Sequence, residues 1–325
     1  MATFGTPEYS AFFGSPVTIP VTATAITPEP SFHRLVVVVT INNTKSFTFS
    51  APVTNDYRQV TFDISSAFKA FAEQHEYKAD VLNSYPKLTA TMQAYEDYMI
   101  NGEAWNEQYQ ATGPVIAGLY AGALTDRERM TGERPSRYSR KPTSSPEIVF
   151  NGMTFLLPVA TTSGAIVNDP AVTSYVVGRD TIPSEANVYA VKPDGDCYEL
   201  RFINSLRVHE SLHVRSLRKT EVDIQTDKYV ISRQETLTKF SRGLAVKQNN
   251  HERWTLSSGP VDRQWASWYI HEFMMTEDVW MKADGLWIPC HVLPEETTQF
   301  LDRSRPNLIE ISFAMQLDIN GSPFA

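Results

Sequence analysis

The chain has 325 residues, enough for two β domains, and carries 29 basic against 37 acidic side chains, for a formal net charge of −8 and a pI near 5.4. That balance argues against broad nucleic-acid affinity, which needs a basic footprint, and no sequence-specific recognition of nucleic acid is expected. Two cysteines, Cys197 and Cys290, make no disulfide framework, no apolar run reaches membrane-spanning length, and the first residues lack the basic and apolar regions of a signal peptide, so synthesis in a reducing cytoplasm without membrane contact is expected.

Residues 1–30 are rich in Thr, Pro and Ala and show no helical period. They predict an extended arm, either added to a neighbour's sheet or draped over its own domain. An amino-terminal β domain is expected over 31–75. Arg34 to Ile41 is a β-branched run that reads as a buried strand, Asn42-Asn43 offers a turn into Lys45 to Ser50, and Gln59 to Ile64 alternates before Ser65-Ser66 caps a short helix. From 76 to 147 the pattern weakens, and this stretch is assigned to a mixed helical and loop insertion. Within it Arg127, Arg129, Arg134, Arg137, Arg140 and Lys141 stand among three acids, Asp126, Glu128 and Glu133, which suits a solvated loop or a patch that docks on an acidic neighbour.

A second β domain is expected over 148–325, because strands separated by turn signals every 8 to 15 residues predict a sandwich or open barrel. Two short strands flank Asn151-Gly152, Pro193-Asp194-Gly195 turns the chain, and Cys197 to Ile203 alternates. Asp262 is a candidate N-cap for a helix carrying Trp265, Trp268, Tyr269 and Phe273. Asp284-Gly285 predicts a type I′ hairpin that pairs Ala283 with Leu286, Met281 with Ile288 and Val279 with Cys290. The opposite face of that hairpin holds Trp280, Lys282, Trp287 and Pro289. It is too aromatic for a fully solvated surface, so it is a candidate interface, with a sugar-stacking platform as the alternative. From Ile309 to Ile319 six apolar residues fall on every second position, a long strand that completes a core. The fold class is therefore mainly β: two sandwich-like or barrel-like domains with a long insertion and short helices.

One motif carries chemistry. His209-Glu-Ser-Leu-His213 matches the HExxH pattern, in which two histidines four apart on a helix hold one zinc and Glu210 takes a proton from metal-bound water. The context points elsewhere. Arg207, Arg215 and Arg218 flank the motif, and Leu206, Val208, Leu212 and Val214 alternate as in a strand, where the two histidines stand about 13 Å apart. A zinc metalloprotease and a glycan-binding module therefore remain as alternatives to a non-enzymatic protein without a cofactor.

The segments YELRFINSL at 198–206, ERWTLSSGPV at 252–261, the helix from Trp265 to Phe273, VWMKADGLWIPCHV at 279–292 and the terminal alternating strand together resemble structural proteins of tailed phages and prophages of gut Bacteroidetes. LTDRERMTGERPSRYSRKP at 124–142 adds to the likeness. One departure is Leu206-Arg207, which stands where the family pattern has a glycine turn. The resemblance implies a virion tail component of the distal-tail or baseplate type, made in the host cytoplasm. It also implies a ring of copies of itself that docks other tail proteins, with Trp280, Lys282, Trp287, Arg134, Arg137, Arg140 and Lys141 as candidate contacts.

Overall fold

The computed structural model describes residues 1–9, 12–73, 75–83, 85, 87–106, 111–120, 122–131, 138–160, 170–231, 242–301 and 308–317. The protein is mainly β and divides into two units. The first comprises Met1–Tyr138, Ala160–Ala171 and Ser205–Val208; the second comprises Ser139–Val159, Val172–Asn204 and His209–Ala325.

In the first unit, β1 (Thr3–Phe4), β2 (Thr18–Thr22), β3 (Phe32–Ile41), β4 (Lys45–Pro52) and β5 (Gln59–Asp63) precede α1 (Ser65–Ala72). The strands β6 (Lys87–Ile100), β7 (Glu103–Asn106), β8 (Ala111–Thr112) and β9 (Ile116–Tyr120) follow, then α2 (Asp126–Thr131). The main sheet runs β4-β3-β6-β7, with β8 and β9 also on β6, and a smaller sheet runs β1-β2-β5. Asn42 and Asn43 make the β3–β4 turn by taking φ 47 and 56, a conformation that Asn tolerates better than most residues. Leu35, Val37, Val39 and Ile41 of β3 point into a core shared with Leu88, Ala90, Met92 and Ala94 of β6 and Phe68 of α1.

Of the two readings of 1–30, the extended segment draped over its own domain is the one seen: Val17, Ile19 and Val21 are fully buried, and β2 pairs with β5 from Thr18↔Asp63 to Thr22↔Gln59. One expectation is revised here. The supposed insertion contributes β6, which pairs with β3 over ten residues from Phe32↔Met99 to Ile41↔Ala90. Its inward positions at 90 and 94 are alanines, which weaken the apolar signal while still fitting a tight core. The N-cap of α1 is Ile64 and not the expected serine, and it makes no side-chain cap bond; one residue earlier, Asp63 Oδ1 accepts from the Ser65 N–H at 3.0 Å.

The second unit opens with β10 (Glu147–Phe150), β11 (Thr154–Ala160), β12 (Pro170–Val176) and β13 (Val188–Val191). β10 pairs in parallel with β13, and β11 pairs with β12, around a small core of Val149, Phe155, Leu157, Val177 and Ala186. Then come β14 (Cys197–Ile203), β15 (His209–Ile231), β16 (Arg242–Val261), α3 (Arg263–His271), β17 (Val279–Ala283), β18 (Leu286–Leu301) and β19 (Ile309–Leu317). These six strands form a barrel in the order β14-β15-β16-β19-β18-β17, and the pairing of β17 with β14 closes it. The expected sandwich-like or barrel-like domain is thus a barrel, closed and not open, a solution that leaves no free edge where the six strands meet.

The hairpin register is the predicted one, Ala283↔Leu286 through Val279↔Cys290, with Asp284 and Gly285 at φ 49 and 81. Ile309, Ile311, Phe313, Met315 and Leu317 line the barrel core; Ile319 lies outside the described residues. Asp262 caps α3 by accepting from the Gln264 and Trp265 N–H groups at 2.8 and 2.9 Å, and the aromatic side of α3 completes the core. Before β15 the chain turns through Arg207 at φ 59, so an arginine adopts the left-handed conformation that a glycine takes without strain.

Candidate functional site

His209, Glu210 and His213 lie on β15, a strand, and not on the helix that HExxH zinc chemistry requires. Strand parity separates the motif between two faces. Glu210 shares the barrel-interior side with Leu212 and Val214 and stands opposite Phe202, while His209, Ser211 and His213 point outward. All five residues of the motif are buried. The outward side chains act as pegs for the β10–β11 layer. His213 Nδ1 accepts from the Phe150 N–H at 2.9 Å, and its Nε2 lies 2.9 Å from the Thr154 carbonyl. This pair of bonds fixes the tautomer with the proton on Nε2 and leaves neither nitrogen open to a metal. Burial, with Lys141 nearby, pushes the His213 ring down to about 4, so it is neutral at physiological pH.

Ser211 Oγ accepts from the Leu156 N–H at 2.8 Å, and Glu199 Oε2 on neighbouring β14 accepts from the Thr154 N–H at 3.1 Å. Together three outward side chains of the barrel bind four backbone groups of one covering segment. The zinc alternative is therefore not supported by this geometry. Among the described residues no group of three or more His, Cys, Asp or Glu side chains is placed to hold a metal ion.

A second feature is a buried charge cluster at the start of the unit. Lys141 Nζ donates to both oxygens of Glu147 at 2.8 and 2.9 Å and to the Ser211 carbonyl, and lies over Trp268 and Phe155 at 5.7 and 5.9 Å. Arg140 Nη1 lies 3.6 Å from Glu272 Oε2. Burial pushes the Glu147 carboxyl up, an effect that Lys141 opposes. Glu210 is pushed up to about 7, chiefly by burial; Lys141 and the Ser139 hydroxyl oppose the shift, while Glu272 and Glu147 add to it. Arg140 and Lys141, proposed from the sequence as docking cations, are thus engaged inside their own unit. Arg134 and Arg137 lie outside the described residues.

The hairpin's outward face is likewise filled from within. Arg201 lies over the Trp287 ring at 4.0 Å, Lys282 Nζ stands 5.5 Å from the same ring and 3.5 Å from Glu199, and Trp280 stacks against His209 at 6.0 Å. All three candidate residues, Trp280, Lys282 and Trp287, are half-buried. Barrel register explains the assembly, because Lys282 follows directly on the Leu200↔Met281 pairing and so falls beside Glu199. A guanidinium stacked on Trp287 occupies surface that a sugar ring would need, which disfavours the platform alternative. The sequence reading missed Glu199, Arg201, Glu147 and Glu272. The first two were visible as the charged alternates of CYELRFI, but their partners are distant in the chain.

A cavity of about 150 Å³ beside this layer is lined by Glu147, His213, Asp262, Trp265 and Tyr269 among others. Its polar walls are already bonded, Glu147 to Lys141, His213 to backbone, and Asp262 to the α3 amides and Ser145.

No family model matches the chain, and no curated protein matches it. Among solved structures, the binding domain of botulinum neurotoxin DC in complex with SialylT aligns over 98% of this chain and 90% of that chain at 8% identity, with a TM-score of 0.15. A likeness that loose carries no argument. Among the described residues no helix is long and apolar enough to cross a membrane.

Proposed function

We propose that this chain is a structural virion protein of a phage tail, of the distal-tail or baseplate type, which forms an oligomeric ring and docks neighbouring tail proteins. The observation that supports this reading best is the β15–β16 ribbon. β14 accompanies β15 only as far as Arg215, and β19 accompanies β16 only from Glu252. From Asp223↔His251 to Ile231↔Arg242 the two strands pair with each other, and among the described residues no third strand joins them. Nine residues of strand span about 30 Å. A two-stranded ribbon of that kind is marginal in water alone, so it suits a surface on an adjoining subunit. Ser211 and His213 of the HESLH segment serve internal clamps, which fits a part selected for assembly and not for turnover.

The test is to replace residues 225–249 by Asn-Gly, which closes the ribbon at the Ile224↔Asn250 pair. The expected result is a folded protein, with the wild-type unfolding transition, that no longer enters particles or rings seen by negative-stain microscopy. Unchanged assembly of the shortened chain, or absence of the wild-type chain from purified virions, overturns the reading.

A further inference from the structure

The first unit's sheet ends on one side at β4, and the properties of that edge point to an occupant. β4 pairs with β3 through eight consecutive residues, Arg34↔Pro52 to Ile41↔Lys45, with no bulge. Among the described residues its other side carries no strand. At the opposite end of the sheet, by contrast, the edge is divided among β7, β8 and β9, the last with a register shift between Leu88 and Ala90. Proteins blunt edges with charge, bulges or short strands, because a long regular edge templates pairing with another chain. β4 carries a charge and a proline only at its ends, Lys45 and Pro52, and from Ser46 to Ala51 it has none of these devices.

The sequence of the edge is a palindrome: Ser46-Phe47-Thr48-Phe49-Ser50. Ser46, Thr48 and Ser50 are exposed, while Phe47 and Phe49 are half-buried against the unit's core. If a second copy approaches antiparallel with a two-fold axis at Thr48, Thr48 faces Thr48, Ser46 faces Ser50, and Phe47 faces Phe49. Every position then meets a residue of its own kind on its own face. The hydroxyls pair on one side, and the phenylalanines extend the apolar layer on the other. Lys45, whose Nζ lies 5.2 Å from the Phe47 ring, falls opposite Ala51, so the two copies bring no like charges together. A strand whose two halves mirror each other is self-complementary under a two-fold axis, and isologous contacts require that property.

We propose that β4 is a homodimer edge, at which two copies of this chain join antiparallel about Thr48 into one sheet of order β7-β6-β3-β4-β4-β3-β6-β7. Because β7, β8 and β9 share one edge of β6, the combined sheet is eight strands wide, within the usual range for an open twisted sheet. The pairing is independent of the tail reading: an isologous contact closes at two copies, whereas a ring grows by heterologous ones. Its failure would leave the ribbon and the ring untouched.

The experiment uses full-length chain and sedimentation equilibrium, with circular dichroism to confirm folding. Wild type is expected to dimerise. Thr48→Lys sets two ammonium groups against each other on the axis and is expected to weaken dimerisation by about 100-fold or more. Ser46→Lys with Ser50→Glu places opposite charges in both symmetry-related pairs and is expected to keep the dimer, now salt-sensitive. Thr48→Cys in a Cys197→Ser background is expected to give a covalent dimer with a short thiol cross-linker. A monomeric wild type, a Thr48→Lys dimer as tight as wild type, or no cross-linking of the Thr48→Cys variant would each overturn the proposal.

Discussion

The barrel of the second unit closes through Leu200↔Met281, whereas the main sheet of the first unit stops at β4 with one side of that strand unpaired among the described residues. Their polar side chains differ in the same sense. On the barrel's outward face Glu199, Ser211 and His213 each hold a backbone group of a covering segment, and Arg201, Lys282, Trp280 and His209 take part in ring stacking. On β4 Ser46, Thr48 and Ser50 are exposed, and of their hydroxyls Ser46 Oγ lies 2.9 Å from Thr40 Oγ1 on β3. The contrast shows that a polar residue on a strand is no guide to function until its partner is known. In the barrel such residues hold the chain together; at the sheet edge Thr48 and Ser50 are available to another chain.

The largest test of the barrel side is Lys141→Met, which leaves the buried Glu147 carboxylate without its partner. A loss of about 3–5 kcal/mol is expected in urea titrations, the usual consequence of stranding one member of a buried pair. A change below about 1 kcal/mol would show that the cluster contributes no more than a surface pair and would break the contrast with β4.

Next comes a pair of pH profiles with opposite signs. Between pH 4.5 and about 7 the folded chain keeps a proton on Glu210 that the unfolded chain has released, so this group makes stability fall as pH rises. Between about 4 and 6.5 the unfolded chain binds a proton on His213 that the folded chain refuses, so this ring makes stability rise with pH. From about 4.5 to 6.5 the two slopes cancel. Glu210→Gln exposes the His213 slope, and relative to wild type its stability is expected to climb by roughly 3 kcal/mol from pH 4.5 to 7. His213→Phe removes the opposing slope, and relative to wild type its stability is expected to fall by a similar amount, roughly 3 kcal/mol, from pH 4 to 6.5. Parallel profiles for the two variants would mean that one of the groups is solvated.

Ser211→Ala is smaller still. It leaves the Leu156 N–H without its acceptor at a buried site, and about 1–3 kcal/mol should be lost on chemical unfolding. Chelator is expected to leave the transition where it was in wild type, since Ser211 and His213 act through backbone bonds.

Local rules carried much of the second unit. The Asp284-Gly285 register, the Asp262 cap and the alternation from Ile309 to Leu317 depend on neighbours in sequence, and each was legible there. Closure of the barrel was not, because β14 and β17 are far apart in the chain and nothing in either names the other. β6 hid for a different reason: its inward alanines fit the core by size while contributing little hydrophobic signal. The candidate site was half legible. Parity placed Leu212 and Val214 on one face and the histidines on the other, which suited a strand at least as well as a helix; the bonds that occupy His213 come from Phe150 and Thr154, far upstream.

The smallest effect expected on folding belongs to Thr48→Lys, and it sharpens the comparison most. Thr48 is exposed on a strand that is hydrogen-bonded to β3 through the backbone, so the substitution removes no buried partner. Monomer stability should change by no more than about 0.5 kcal/mol, the range of ordinary surface substitutions. Ser211, another small hydroxyl on a strand, costs several times as much when replaced, because its partner is buried in the same chain. Measured side by side under conditions where both variants are monomeric, the two substitutions separate a hydroxyl that stabilises the fold from one that is available for assembly. Equal losses would mean that β4 is covered in the monomer, and the distinction between closed barrel and open edge would disappear.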